Sequence, residues 1–80
     1  MPEVLRERGH RFFFYSKENE EPPHIHVERG EAYAKVWLQP VVLANQKGFN
    51  TKELNWITRL VEKRASSFME RWNEHFTAVP

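Results

Sequence analysis

The chain has 80 residues, no cysteine and a formal net charge of +1 at pH 7. This length predicts one compact domain and excludes a second, and the missing cysteines exclude a disulfide framework, a thiolate zinc site and a cysteine nucleophile. No apolar run is long enough for a signal peptide or a membrane span, so we expect a cytoplasmic protein with no membrane contact. The small net charge removes the strongest general argument for a nucleic-acid binder.

The first predicted strand covers residues 10–17, which include four consecutive aromatic residues at 12–15. Aromatic side chains favour a pleated strand, and a run without polar alternation indicates that both strand faces are at least partly covered. Pro22 and Pro23 follow and predict a loop, because proline lacks a backbone N–H and pushes the preceding residue toward an extended conformation.

Two segments with period-two alternation, residues 24–28 and Ala32–Leu38, are separated by a short connection that contains Gly30. This arrangement predicts a β-hairpin, since glycine accepts the positive φ that tight turns require. A further short strand is expected over residues 41–44. We therefore predict an antiparallel sheet of three or four strands.

A long C-terminal helix is predicted over residues 51–75, because apolar side chains recur there at spacings of three and four. Asn50 is the expected N-cap, with Glu53 completing a capping box. A straight helix of this length measures roughly 37 Å, whereas a six-residue strand spans about 20 Å. We expect either a bend at Ser66 and Ser67, or packing of the distal half on the N-terminal segment or on a second copy of the chain.

Alternation places the hairpin side chains on two faces, whichever residue pair forms the turn. The core face holds Ile25, Val27, Ala32, Ala34, Val36 and Leu38. The opposite face, here named the polar face, holds His24, His26, Glu28, Tyr33, Lys35 and Trp37. The predicted fold class is therefore α+β, an antiparallel sheet packed against one long C-terminal helix.

Three interpretations of the polar face are open. His24 and His26 are expected to point the same way, outward into solvent. They are weak candidates for metal ligands, with Glu28, His10 or His75 as a third ligand. Alternatively, the histidines act together with other side chains of this face on RNA, or the face is ordinary solvated surface, as in most antiparallel hairpins. Since no third ligand sits at a diagnostic spacing, we expect neither a metal nor a cofactor.

The RNA interpretation names four candidate catalytic residues, His24, His26, Tyr33 and Lys35. Imidazole titrates near neutrality and can serve as an acid or a base, and an ammonium group can stabilise a developing anion. Trp37 is placed to stack a base. Any enzymatic activity of this face would be that of a metal-independent ribonuclease.

The predicted helix also carries basic residues, Arg59, Lys63, Arg64 and Arg71. Glutamates are interleaved with them, so we interpret this ridge as a solvated, ion-paired face rather than a nucleic-acid stripe. Trp72 and Phe76 belong to the apolar stripe and are expected to be core residues or contacts of a homodimer formed through the C-terminal helix.

Four segments of the chain together resemble a known family. They read RFFFYS at 11–16, EPPHIHVE at 21–28, AKVWL at 34–38 and WNEHF at 72–76. The chain resembles the Domain of Unknown Function 4160 family, short bacterial proteins marked by a Pro-Pro-His-x-His-Val segment. The resemblance implies a bacterial source and a small α+β domain, and it transfers no catalytic role to His24 or His26.

The resemblance also implies a partner, because members are encoded next to a second small protein in a layout similar to toxin–antitoxin pairs. We therefore expect a component of a two-protein, toxin–antitoxin-like module that binds or acts on RNA through the polar face. The alternative is a non-enzymatic transcriptional regulator or partner-binding module, docking through its helix end or a sheet edge. RNA, DNA, the second protein and a second copy of the chain are the expected partners.

Overall fold

The computed structural model describes residues 3–15 and 20–77 of the chain. The strands are β1 (Glu3–Glu7), β2 (His10–Phe13), β3 (His24–Arg29), β4 (Ala32–Leu38) and β5 (Val41–Lys47), and the helices are α1 (Thr51–Lys63) and α2 (Ala65–Thr77). The strands form one sheet in chain order, with every neighbouring pair antiparallel. The predicted α+β class is confirmed, but this sheet has five strands rather than three or four.

The additional strand is β1, which the sequence pattern did not reveal. Three of its five residues are charged, and a bulge between Glu3 and Leu5 interrupts its alternation against β2. The predicted first strand began correctly at His10 but ends at Phe13, and its last two predicted positions, 16 and 17, lie outside the described residues.

The predicted hairpin is confirmed with its two faces. Arg29 pairs with Ala32, which leaves Gly30 and Glu31 as a two-residue turn, and Gly30 has a φ of 61°. All six residues of the core face are buried at 8% exposure or less. Strand β5 runs three residues beyond the predicted 41–44. Its register against β4 shifts between Lys35 and Val36, and the pairing continues to Lys47, which lies opposite Tyr33.

The single long helix was a wrong prediction, because the chain leaves helical geometry at Arg64 and continues as α2. The apolar stripe runs through this position without a change of spacing. The bend that the helix length led us to expect at Ser66 and Ser67 lies instead at Arg64. The break allows α2 to pack on the N-terminal segment, with ring centroids 6.0 Å apart for Phe68 and Phe12 and 5.4 Å apart for Trp72 and Phe14. Neither helix of the described chain is long and apolar enough to cross a bilayer.

The start of α1 follows the predicted capping box. The Asn50 side chain accepts a hydrogen bond of 2.8 Å from the backbone N–H of Glu53. Ile57, Leu60 and Val61 face the sheet and are buried, while the residues between them remain at the surface. Helix α1 therefore packs through one stripe and presents another to solvent.

Candidate functional site

The two central histidines of the polar face lie side by side, as alternation predicted. Their ring centroids are 4.9 Å apart and the rings meet edge to face. Across the strand pair, His24 faces Trp37, His26 faces Lys35 and Glu28 faces Tyr33. The structure therefore brings all four candidate catalytic residues to one side of the β3–β4 pair.

The expectation that these imidazoles point outward into solvent is wrong. His24 is 0% exposed and His26 is 3% exposed. Trp37 and Trp72 lie against the His24 ring, with centroid distances of 5.5 and 5.1 Å. These indoles come from β4 and α2, and the N-terminal aromatic run covers the second imidazole.

The His26 ring is covered by Phe13 and Tyr15, whose ring centroids lie 5.5 and 4.6 Å from it. The sequence did not reveal this cover, because period-two alternation shows which side chains share a face but not which other segment packs over that face. The aromatic run, interpreted as core, supplies this packing.

Both imidazoles are held by hydrogen bonds. Nδ1 of His24 lies 2.8 Å from the Pro22 carbonyl oxygen and donates to it, since a carbonyl only accepts. Nδ1 of His26 lies 2.9 Å from the hydroxyl of Tyr33. Nε2 of His24 is 3.8 Å from a carboxylate oxygen of Glu21. These contacts fix the orientation of both rings.

The cations on this side of the sheet are neutralised by carboxylates. Nζ of Lys35 lies 2.6 Å from Glu21 and also 4.6 Å above the Trp37 ring. The Arg11 guanidinium on β2 lies 2.6 Å from Glu28. An anionic ligand would have to displace a carboxylate at each of these positions.

The other two histidines offered as metal ligands lie elsewhere. His10 packs between Phe49 and Trp56, and His75 stacks against Phe14. Within residues 3–15 and 20–77, no group of three or more histidine, cysteine or acidic side chains is arranged to hold a metal ion. His10 and His75 therefore do not complete a site with His24 and His26.

A second candidate site, which sequence reasoning missed, lies along the exposed stripe of α1. Two cavities of about 250 and 280 Å³ share Trp56 and Arg8 as lining residues. Lys52 lines the first cavity, and Arg59 and Lys63 line the second. We name these five residues the Trp56 groove. The four groove residues on α1 follow one another at spacings of four, three and four, which places them on one face of the helix. The sequence pattern therefore indicated this face, but Arg59 and Lys63 were grouped with Arg64 and Arg71 and without Lys52.

The cations of the Trp56 groove have no ion-pair partner among the described residues. The carboxylates that line the cavities are engaged elsewhere: Glu7 lies 3.6 Å from Arg64, and Glu53 accepts a 2.8 Å hydrogen bond from Nε of Arg29. Arg8 lies 5.2 Å from the Trp56 ring centroid in a cation–π contact. The groove therefore carries uncompensated positive charge beside an aromatic ring.

The pKa of Glu53 reflects this environment. Partial burial raises the pKa of this carboxyl group. The opposing contributions are larger and come from the hydrogen bond and charge of Arg29, the backbone N–H of Asn50 and the nearby His10. The pKa of Glu53 therefore lies below its ordinary value. Glu53 thus remains a carboxylate at neutral pH, bound to Arg29 and to the cap of α1.

Comparison with known proteins identifies the family. The model of the family described as Domain of unknown function (DUF4160) matches residues 9–73. The chain belongs to this DUF4160 family. Among curated proteins and among solved structures, no match was found. The DUF4160 match covers the polar face and the four α1 residues of the Trp56 groove, and it leaves β1 and Arg8 outside.

Proposed function

We propose that this DUF4160 protein works by binding, as the partner-binding component of a two-protein module, and that β5 is its docking edge. The observation that carries the proposal is the contrast between the two edges of the sheet. Strand β5 has seven residues of which only Lys47 is charged, and Val42 is 49% exposed. Long, weakly charged edge strands pair readily with a strand from another chain.

The opposite edge is protected against such pairing. Three of the five residues of β1 are charged, Arg6 is paired with Glu3 at 2.8 Å, and a bulge distorts the strand. Charges and bulges are the devices by which proteins prevent pairing at an edge. Strand β5 has a single charged residue, Lys47 at its end, and this low charge supports a role for that edge in strand addition.

The occupant we propose is a strand of the second protein of the module. It would be apolar opposite residues 41–43 and carry an acidic residue opposite Lys47, which complements the composition of β5. The backbone would provide most of the affinity, and the alternating side chains would provide specificity.

The test is co-expression with the protein encoded by the neighbouring gene. We expect the wild-type chain to co-purify with that protein, and a Val42→Lys/Ala44→Lys variant to lose it, because its added charges lie on the β5 edge. A Ser67→Lys control places its added charge on α2 and should still co-purify. Retention of the partner by the edge variant would contradict the proposal. A homodimer of the isolated chain that the edge variant abolishes would assign the edge to a second copy instead.

A second candidate function is action on RNA through the polar face, supported by the Tyr33–His26 hydrogen bond of 2.9 Å. Tyr33 is only partly buried and connects the buried His26 to the surface, where it would exchange a proton with a bound RNA. The test is cleavage of a labelled RNA by the purified protein. This second function requires cleavage by the wild type and at least about tenfold less in Tyr33→Phe. No cleavage by the wild type, or cleavage at the same rate by both proteins, would contradict it.

A further inference from the structure

In the Trp56 groove, four cations without carboxylate partners among the described residues line the same two cavities as an aromatic ring. Four cationic side chains line the two cavities together with the carboxylates Glu7 and Glu53, which pair with Arg64 and Arg29. Both carboxylates already have an arginine partner. A ligand for this surface therefore carries several negative charges.

The groove is elongated rather than closed. Lys52, Arg59 and Lys63 lie on one stripe of α1, and a helical rise of 1.5 Å per residue separates the first from the last by roughly 16 Å. A chain of negative charges, such as the phosphates of a nucleic acid, contacts such a row at several points. A single small anion would engage only one end of it.

Arg8 supplies a further observation. It occupies the β1–β2 turn with a φ of 52°, a left-handed conformation that favours glycine or asparagine. A type I′ turn usually contains Asn-Gly, and here Arg8 precedes Gly9. Arg8 thus holds a left-handed backbone where asparagine or glycine would cost less, and its side chain is the cation that lies over Trp56.

We propose that the Trp56 groove binds single-stranded nucleic acid, with Lys52, Arg59 and Lys63 on the phosphates and the Arg8–Trp56 pair against a base. Unpaired bases stack on indole rings and on guanidinium planes, whereas bases in a duplex are covered by their neighbours. An acidic peptide would satisfy the cations but would make no use of the stacked pair. The aromatic component therefore favours a single strand over both alternatives.

The experiment is fluorescence anisotropy with a labelled 15-nucleotide oligouridine RNA between 50 and 200 mM salt. The groove variant is Arg59→Gln/Lys63→Gln, and its matched control, Lys47→Gln/Arg71→Gln, removes the same charge from β5 and α2. We expect binding by the wild type, and a loss of about tenfold in the groove variant. Its slope of log affinity against log salt should fall by about 1.4, because each lost single-strand phosphate contact reduces the slope by about 0.7.

Three outcomes would overturn the proposal. The first is no binding of the RNA by the wild type at 50 mM salt, and the second is an equal loss in the groove variant and the control. The third is tighter binding of a 15-residue oligoglutamate peptide or of a 15-base-pair RNA duplex, with the same dependence on Arg59 and Lys63. Circular dichroism of each variant checks that the fold is unchanged, which the exposed positions of Arg59 and Lys63 lead us to expect.

Discussion

The polar face and the Trp56 groove contain similar residue types and differ in how those residues are partnered. On the polar-face side of the sheet, Lys35 and Arg11 each have a carboxylate within 2.6 Å, and the imidazoles of His24 and His26 are buried. In the groove, the cations have no such partner among the described residues, and the aromatic ring is only partly covered.

This comparison shows why residue type alone is a poor guide to a site. A cluster of histidine, tyrosine and lysine on one strand pair suggests chemistry, but its members contact one another and the aromatic residues packed over them. Charges that lack an internal partner are the ones available to a ligand. Substitutions in the two regions should therefore differ in whether they change stability or ligand binding.

The largest effect is expected from His24→Ala. This change removes a fully buried ring from its contacts with Trp37 and Trp72 and leaves the Pro22 carbonyl without its donor. We expect the free energy of unfolding to fall by about 3 kcal/mol in urea denaturation followed by circular dichroism. His75→Ala, at a half-buried position on α2, is the control and should cost about 1 kcal/mol. A His24→Ala protein as stable as the wild type would mean that the imidazole has no structural role.

A smaller effect that separates function from stability is expected from Arg8→Asn. Relief of the left-handed strain is worth about 1 kcal/mol, and loss of the exposed contact with Trp56 costs about 0.5 kcal/mol. The variant should therefore unfold at no lower urea concentration than the wild type and yet bind oligouridine RNA less tightly. Loss of both stability and affinity would show that Arg8 supports the turn rather than a ligand.

The smallest effect concerns Glu53 and acid. Its pKa is lowered in the folded state, so its contribution to stability is present above the ordinary glutamate pKa of about 4.3 and is lost as pH falls through the folded value. Glu53→Gln should make stability less dependent on pH below about pH 5, measured by thermal unfolding across the acid range. The same variant removes a negative charge from the groove, so its RNA affinity should rise slightly at low salt. A steeper acid profile in the variant would contradict the assigned direction of the pKa shift.

Local sequence patterns correctly predicted the elements that are determined by residues close together in the sequence. The alternation of β3 and β4, the turn at Gly30 and the capping box at Asn50 all depend on short-range geometry and are confirmed. The apolar stripe from Leu54 to Phe76 correctly marked the helical residues but not the break at Arg64. That break serves packing on the N-terminal segment, which is a tertiary effect.

The features that the sequence did not reveal depend on contacts between distant segments. Burial of His24 and His26 requires Tyr15 and Trp72 to meet them from opposite ends of the chain. The Trp56 groove requires Arg8 of the first turn to lie over a residue of α1, 48 positions later. The spacing of the α1 cations was visible in the sequence, but which of them lacked a carboxylate partner was not.

The most direct test uses the three tryptophans as reporters, since Trp37 lies on the polar face, Trp56 in the groove and Trp72 in the core. Their indole N–H signals can be followed separately in ¹H–¹⁵N correlation spectra while oligouridine RNA is added. We expect the Trp56 signal to shift with RNA concentration while the signals of Trp37 and Trp72 stay in place. A shift of the Trp37 signal with an unmoved Trp56 signal would place the ligand on the polar face and contradict the account.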